Sequence, residues 1–316
     1  MNCQIKSYSL IILLKKYFFI YLLILYLFLV SFFIKRIKSI NKQFKVCLCT
    51  PAKKENLYIR EFVEHYKNYG VDNIFLYDNN ELNGERFEDV INDYIKNGFV
   101  KIINYRGYKK IALQMMNDCY EKNYFNYDWL IFFEVDEYVY LKNYNNIKNY
   151  LKNKRFQNCE RIQLNWVLHT DNNLLYYDNR SIVERFPEKE QIKNNGRKNA
   201  IKSILKGHII NIKIKDIHLL NKQLRACDGF GNYIKKISHL TDKSDFEYYY
   251  INHYFCKSTE EFINKINKGD VLYFKSNILL RINFYYKINK KTIEKINLME
   301  NRTGLNLSSL KKNLKN

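Results

Sequence analysis

Asp128-Trp129-Leu130-Ile131-Phe132-Phe133-Glu134-Val135-Asp136-Glu137-Tyr138-Val139-Tyr140-Leu141 is the stretch on which the reading of the chain turns. It opens with an unbroken apolar run, Trp129 to Phe133. A continuous, aromatic-rich run of that kind predicts a strand covered on both faces, as in a parallel sheet. Three carboxylates then fall within four residues, at Glu134, Asp136 and Glu137. In open α/β sheets ligands gather at the carboxyl ends of the strands. Residues i and i+2 of an extended segment point to one side, so Glu134 and Asp136 are candidates to share a hard cation. Mg2+ and Mn2+ take one or two carboxylates and leave other positions to phosphate oxygens and water. An ordinary strand end with solvated acids accounts for the same residues, so the cluster alone names no chemistry.

Upstream of this stretch, strand and helix patterns alternate. Phe44 to Cys49 reads as a strand, followed by a polar loop from Thr50 to Asn56. Ile59, Phe62, Val63 and Tyr66 mark a helix that Gly70 is placed to end. Val71 to Tyr77 is a second strand, running into Asp78-Asn79-Asn80. Phe87, Val90, Ile91, Tyr94 and Ile95 stripe a second helix, Phe99 to Tyr105 is a third strand, and Ile111, Met115 and Cys119 mark a third helix. This βαβαβαβ order predicts an α/β fold with a mostly parallel sheet flanked by helices. No glycine fingerprint follows the first strand and there is no Walker loop, which disfavours dinucleotide and P-loop sites.

Downstream, Ile162, Leu164 and Trp166 alternate with Gln163 and Asn165 as a half-buried strand, followed by a polar loop from His169 to Asn173. Ile182 to Phe186 is expected to be another strand, carrying Glu184 and Arg185, and Asn194-Asn195-Gly196 to be a turn. Tyr248 to Phe255 reads as an aromatic strand holding His253. Ser258 and Glu261 form a capping-box pattern for a helix with Phe262, Ile263 and Ile266 on its inner face and Gly269 at its end. A lone histidine is more often structural than a ligand, yet His253 stands at a strand end just before Lys257 and a helix start, a position suited to a metal or a diphosphate. It ranks above His169, His218 and His239.

At the N-terminus, Tyr17 to Ile34 carries no charge over eighteen residues. As a helix it would span about 27 Å, close to the hydrocarbon thickness of a bilayer. The expected organisation is a tail over 1–8, a retained transmembrane anchor over 9–34, a linker over 35–43, one sizeable α/β domain over 44–281 and a Lys/Asn-rich helix or tail over 282–316. Lys6, Lys15 and Lys16 precede the span, whereas Lys35, Arg36, Lys38, Lys42 and Lys45 follow it. That bias mildly favours a cytoplasmic C-terminal domain. The net charge is +21, but its lysines are scattered among Asn, Ile and Tyr. With no nucleic-acid-binding motif present, a nucleic-acid partner is not expected. The seven cysteines include one close pair, Cys47-Leu48-Cys49, which lacks metal or redox spacing. They read as small apolar fillers.

Five stretches together resemble glycosyltransferase family 92 and its family-2-like relatives. They are Arg60 to Tyr66 with Gly70 to Asp72 and Tyr77 to Asn80; Gln114 with Asn117 to Cys119; Trp129 to Tyr138; Val183 to Phe186; and Asn252 to Tyr254 with Lys257 to Phe262, Lys265 and Gly269-Asp270. One departure is Glu134, where the family's metal motif usually begins with Asp; the carboxylate is kept on a longer arm.

The resemblance implies a GT-A, Rossmann-like fold and a hexosyltransferase, with galactosyltransferase-like specificity as one option. It would act on a nucleotide-sugar donor, usually a UDP-sugar, and a glycan or glycoconjugate acceptor, with inversion. It also implies a divalent cation, Mn2+ or Mg2+, on Asp136, Glu134 and His253. Thr50, Glu55, Asp78 and Lys257 are then expected to line the donor pocket, with Glu184 or Asp171, and less so Glu137, as the base. In a eukaryote such a protein would be a single-pass type II membrane protein of the ER or Golgi, which runs against the flanking-charge bias. The alternative is a membrane-anchored, non-catalytic protein that binds nucleotide sugars or glycans, and Glu134 is the residue that favours it.

Overall fold

A computed structural model of the chain describes residues 17–18, 20–31, 43–109, 112–190, 199–236, 238–241, 244–267 and 278–312. The chain divides into two compact units, Met1–Phe44 and Lys45–Asn316. In the first unit, residues 17–18 and 20–31 are helical and expose a series of apolar side chains, among them Phe18, Tyr21, Leu23 and Phe28. Among the described residues no helix is long and apolar enough to cross a membrane. The remainder of the expected 9–34 span, like Ile111, Asn194 to Gly196 and Gly269-Asp270, lies outside the described residues.

The second unit is built on one mixed sheet. Its strands are β1 (Val46–Ala52), β2 (Asn73–Asp78), β3 (Val100–Asn104), β4 (Trp129–Phe132), β5 (Glu137–Leu141), β6 (Arg161–Leu168), β7 (Asn199–Lys206), β8 (Ala226–Cys227), β9 (Leu240–Thr241) and β10 (Tyr249–His253). The order across the sheet is β3-β2-β1-β4-β7-β6-β10-β5, with β8 beside β6 and β9 beside β7. β4 is central, as the apolar run predicts: it pairs with β1 in parallel and with β7 antiparallel. The four strands β3-β2-β1-β4 are parallel throughout. The expectation of a mostly parallel sheet fails beyond β4. There β7 returns antiparallel to both β4 and β6, and β5 runs antiparallel to β10.

Between the strands run α1 (Ile59–Asn68), α2 (Glu88–Lys96), α3 (Ala112–Asn123) and α4 (Ile147–Leu151). Ile59, Phe62, Val63 and Tyr66 are the buried face of α1. The Tyr66 hydroxyl donates to the Glu137 carbonyl at 2.7 Å and accepts from the Val139 amide at 3.2 Å, fixing the start of β5. Gly70 closes α1 with φ +83°; a Cβ there would lie 2.2 Å from the Asn146 amide nitrogen.

Ile182 to Phe186 is not a strand. Ile182–Arg185 is a single helical turn, α5. Ser181 caps it: its Oγ accepts from the Glu184 amide at 3.2 Å, and Glu184 Oε2 accepts from the Ser181 amide at 3.1 Å. The Glu61 carboxylate of α1 takes the Ile182 amide at 2.9 and 3.1 Å. Those acceptors satisfy donors at the helix start, and the turn wins over an extended alternative.

The C-terminal stretch is an integral layer. Helices α6 (Thr259–Asn267), α7 (Ile278–Ile288) and α8 (Ile293–Thr303), followed by the short α9 (Ser308–Lys312), share a core that includes Phe262, Ile263, Ile282, Tyr285, Ile296 and Met299. Four cysteines are not fillers. Disulfides join Cys49 of β1 to Cys119 of α3 and Cys159 to Cys227 of β8. Cys47 and Cys256 are buried thiols.

Candidate functional site at the strand ends

The carboxyl ends of β1, β4 and β10 converge on one region. After β4 the chain does not stay extended: residues 135 and 136 form a turn, and the Glu137 amide donates back to the Glu134 carbonyl at 3.0 Å. This turn removes the same-side geometry expected of Glu134 and Asp136. Each carboxylate has its own lysine. Lys202 of β7 reaches Glu134 Oε1 at 2.6 Å and lies 3.4 Å from Glu137 Oε1. Lys265 of α6 reaches Asp136 Oδ2 at 2.6 Å. Asp136 Oδ1 faces His253 Nε2 at 3.6 Å, and the Asp136 carbonyl accepts from the Tyr254 amide at 2.9 Å.

Burial opposes ionisation at all three acids, and the outcome differs with the neighbours. At Asp136, Lys265 and then His253 overcome burial and hold the carboxyl well below its ordinary range. At Glu134, Lys202 does the same to a lesser extent. At Glu137, which is fully buried, desolvation prevails over Lys202 and pushes the carboxyl up to about 8. His253 is lowered by its burial, against the pull of Asp136. A neutral imidazole is the ligand form.

Beside this cluster lies a cavity of about 390 Å³ whose walls include Lys54, Glu55, Tyr58, Lys257, Glu261 and Lys265. Lys257 holds a left-handed backbone at φ +53°. Its ammonium lies 3.2 Å from the centre of the Tyr58 ring and 3.5 Å from Glu55 Oε2. The expected capping box is present: Ser258 Oγ accepts from the Glu261 amide at 3.3 Å and Glu261 Oε2 accepts from the Ser258 amide at 3.0 Å. Glu261 also receives the Tyr58 hydroxyl and pairs with Arg185 at 2.7 Å, so α1, α5 and α6 are tied together under the cavity.

The structure thus brings together Glu55, Lys257, Asp136 and His253. The other expected site residues do not line the cavity. Asp78 is buried, with Oδ1 on the Asn80 amide at 2.9 Å and Oδ2 on Arg106 at 2.7 Å. Arg106 also donates to the carbonyls of Glu81, Gly84 and Glu85 at 2.8, 3.0 and 2.8 Å, so it holds the 81–85 loop, including the cavity residue Glu85. Thr50 is fully buried and its hydroxyl has no hydrogen-bond partner. Asp171 is sealed beneath the C-terminal helices by Lys295 at 2.6 Å, the Tyr285 hydroxyl and the Asn173 amide. Glu184 is exposed and serves as the reciprocal cap of α5. Lys202 and Arg106 were not anticipated. Ile201, Ile204 and Leu205 surround Lys202 in β7, and a lysine in such company is seldom fully buried unless paired.

Among the described residues no group of three or more His, Cys, Asp or Glu is arranged to hold a metal. The set that fits a small cation is the pair Asp136 and His253. Their 3.6 Å separation is too long for a hydrogen bond, but two ligands of one ion with bonds of about 2.1 Å can stand that far apart. The nitrogen that would serve this ion is Nε2, which faces Asp136; the other ring nitrogen, Nδ1, is buried without a hydrogen-bond partner. Glu134 stands across the turn with Oε1 on Lys202, as Asp136 has Oδ2 on Lys265, but no hydrogen bond or ion pair joins it to His253.

No curated protein sequence matches the chain significantly. Among solved structures, S. aureus TarS 1-349 in complex with UDP-GlcNAc is 10% identical, with 83% of this chain and 80% of that chain covered and a TM-score of 0.37. A second crystal structure of S. aureus TarS 1-349 is 13% identical at a TM-score of 0.35, with 71% of this chain aligned; the chain spans 64% of that structure's length. UDP-glucose pyrophosphorylase complexed with UDP-glucose is 12% identical over 52% of this chain and 69% of that chain, at a TM-score of 0.25. The family model for glycosyltransferase family 92 matches residues 42–297, nearly all of the second unit, and the chain belongs to that family.

Proposed function

We propose that this protein transfers a sugar, most simply a hexose with inversion, from a UDP-sugar to a hydroxyl of a glycan or glycoconjugate. The observation that carries this reading is the cavity beside Asp136. Its wall presents Lys54, Lys257 and Lys265, cations suited to a diphosphate, and Lys265 links it directly to Asp136. Asp136 and His253 would hold Mn2+ or Mg2+. Such an ion neutralises a diphosphate leaving group as a Lewis acid. Lys257, braced by Tyr58 and Glu55, binds and orients the diphosphate. Asp78 acts through Arg106, which fixes the loop that brings Glu85 to the cavity. Attachment to a membrane is supported by the uncharged run from Tyr17 to Ile34. The two disulfides support an oxidising compartment for the second unit, against the flanking-charge bias.

The test is UDP release from a panel of UDP-sugars, with Mn2+ and with EDTA. Acceptor-dependent, Mn2+-stimulated release is expected with at least one donor. The engagement of Glu134 by Lys202 keeps a second reading in view, a nucleotide-sugar-binding protein without turnover. UDP binding with no release from any donor would establish it.

A further inference from the structure

Lys265 stands where the cavity meets the acidic cluster. Its ammonium donates to Asp136 Oδ2 at 2.6 Å and to the Phe255 carbonyl at 3.3 Å, and it lies 4.1 Å from the Phe255 ring centre. The Lys265 side chain is 23% exposed and lines the cavity, whereas Asp136 is 9% exposed. Asp136 therefore has two differently occupied sides: His253 faces Oδ1, and an ammonium covers Oδ2. Poorly screened charges act strongly at this range, so a dication approaching Asp136 meets a cation already in place. Lysine, with a compact charge on a flexible four-carbon stem, can exchange one anion for another without moving the backbone. The nearest space for an anion is the cavity that Lys265 itself lines, with Lys54 and Lys257 on the same wall.

We infer that Lys265 is an exchangeable counter-ion: it neutralises Asp136 in the resting protein and turns to the diphosphate of an incoming nucleotide, so that the protein binds a divalent cation weakly until nucleotide is bound. The inference rests on the proposed use of the cavity for a nucleoside diphosphate. It assigns Lys265 two effects of opposite sign, attraction of nucleotide and exclusion of the lone cation. A residue that merely braces α6 would produce neither.

The test uses the full chain, two neutral variants, Lys265→Met and Lys265→Gln, and Lys265→Arg as the charged control; glutamine keeps a hydrogen-bond donor to Asp136 and guards against misfolding of the first. Mn2+ binding without nucleotide is followed by electron paramagnetic resonance, and UDP binding in EDTA by calorimetry. Both variants are expected to bind Mn2+ alone about tenfold tighter than the parent, and UDP about ten- to a hundredfold more weakly, the range of a charged hydrogen bond. Lys265→Arg keeps the charge and should behave as the parent in both assays. If UDP binds the parent and the variants equally, or if Mn2+ alone binds the parent as tightly as it binds Lys265→Met, the exchange role is overturned while the nucleotide reading stands. If UDP binds none of the proteins, with or without Mn2+, both fall together.

Discussion

The two oxygens of Asp136 have different partners, and that asymmetry makes its replacement informative. Asp136→Asn keeps the shape but turns one acceptor oxygen into an NH2 donor and removes the charge that Lys265 balances. Sugar transfer is expected to fall about 100- to 1,000-fold, the usual loss when one electrostatic stabiliser is removed, with an unchanged circular dichroism spectrum. Full Mn2+-dependent turnover would make the strand end purely structural. A separate residue contributes to acid sensitivity. His65 lies among the rings of Tyr66, Tyr69 and Tyr138, at 4.7 to 4.9 Å, and burial lowers its pKa to about 4. An unfolded histidine takes its proton near 6.5, so the unfolded state binds more protons between the two values. His65's contribution is whole above pH 6.5 and is lost as pH falls toward 4, amounting to about 3 kcal/mol at the lower limit. His65→Phe should flatten the fall in urea midpoint between pH 6.5 and 4.5; an equally steep fall in the variant would clear His65. Asp136 and His253 were legible because they sit at strand ends beside chain-local cues. Lys202 was not, since its partner Glu134 lies 68 residues away and one lysine in a strand carries no address.

Elements with a local period were legible, and those defined by distant pairing were not. The β3-β2-β1-β4 half follows from alternation of strand and helix, each connection short enough to fix its neighbour. The place of β7 between β4 and β6 depends on pairing between segments far apart in sequence, and no periodicity inside β7 announces it. α5 was misread because a single turn is too short to show a 3.6-residue period, so only its Ser181/Glu184 box identifies it. That box yields a prediction. Glu184→Ala should cost about 1 kcal/mol of stability, the worth of a cap, and leave turnover within about twofold, whereas losing a general base costs about 100- to 10,000-fold. Turnover and chemical denaturation on the same preparation separate the two roles. Asp171 belongs to the C-terminal layer in the same way. Asp171→Ala leaves Lys295, 1% exposed at its side chain, without its carboxylate, and should destabilise by about 3–5 kcal/mol. A melting temperature unchanged from the parent would argue against that ion pair.

At the scale of the whole molecule, the +21 charge pointed nowhere in particular, because scattered lysines acquire meaning only where the fold gathers them, as at the cavity wall. The cysteines escaped for a related reason. Their pairings span 70 and 68 residues, a distance over which spacing says nothing about proximity. Each bond closes a long loop of the unfolded chain and so removes much of its freedom, worth about 4 kcal/mol for a loop of this length. The first holds α3 against β1, next to Thr50; the second holds the start of β6 to β8. For a unit of this size, losing either bond should lower the melting temperature by about 8 °C. Cys49→Ala/Cys119→Ala and Cys159→Ala/Cys227→Ala, each measured calorimetrically against the parent, provide the check, with mass spectrometry of alkylated, unreduced protein to establish the pairing. That mapping should leave Cys47 and Cys256 as the labelled thiols of the second unit. If Cys49 or Cys159 is alkylated instead, or if both double variants melt with the parent, the bonds do not stabilise the fold, and the case for an oxidising compartment goes with them.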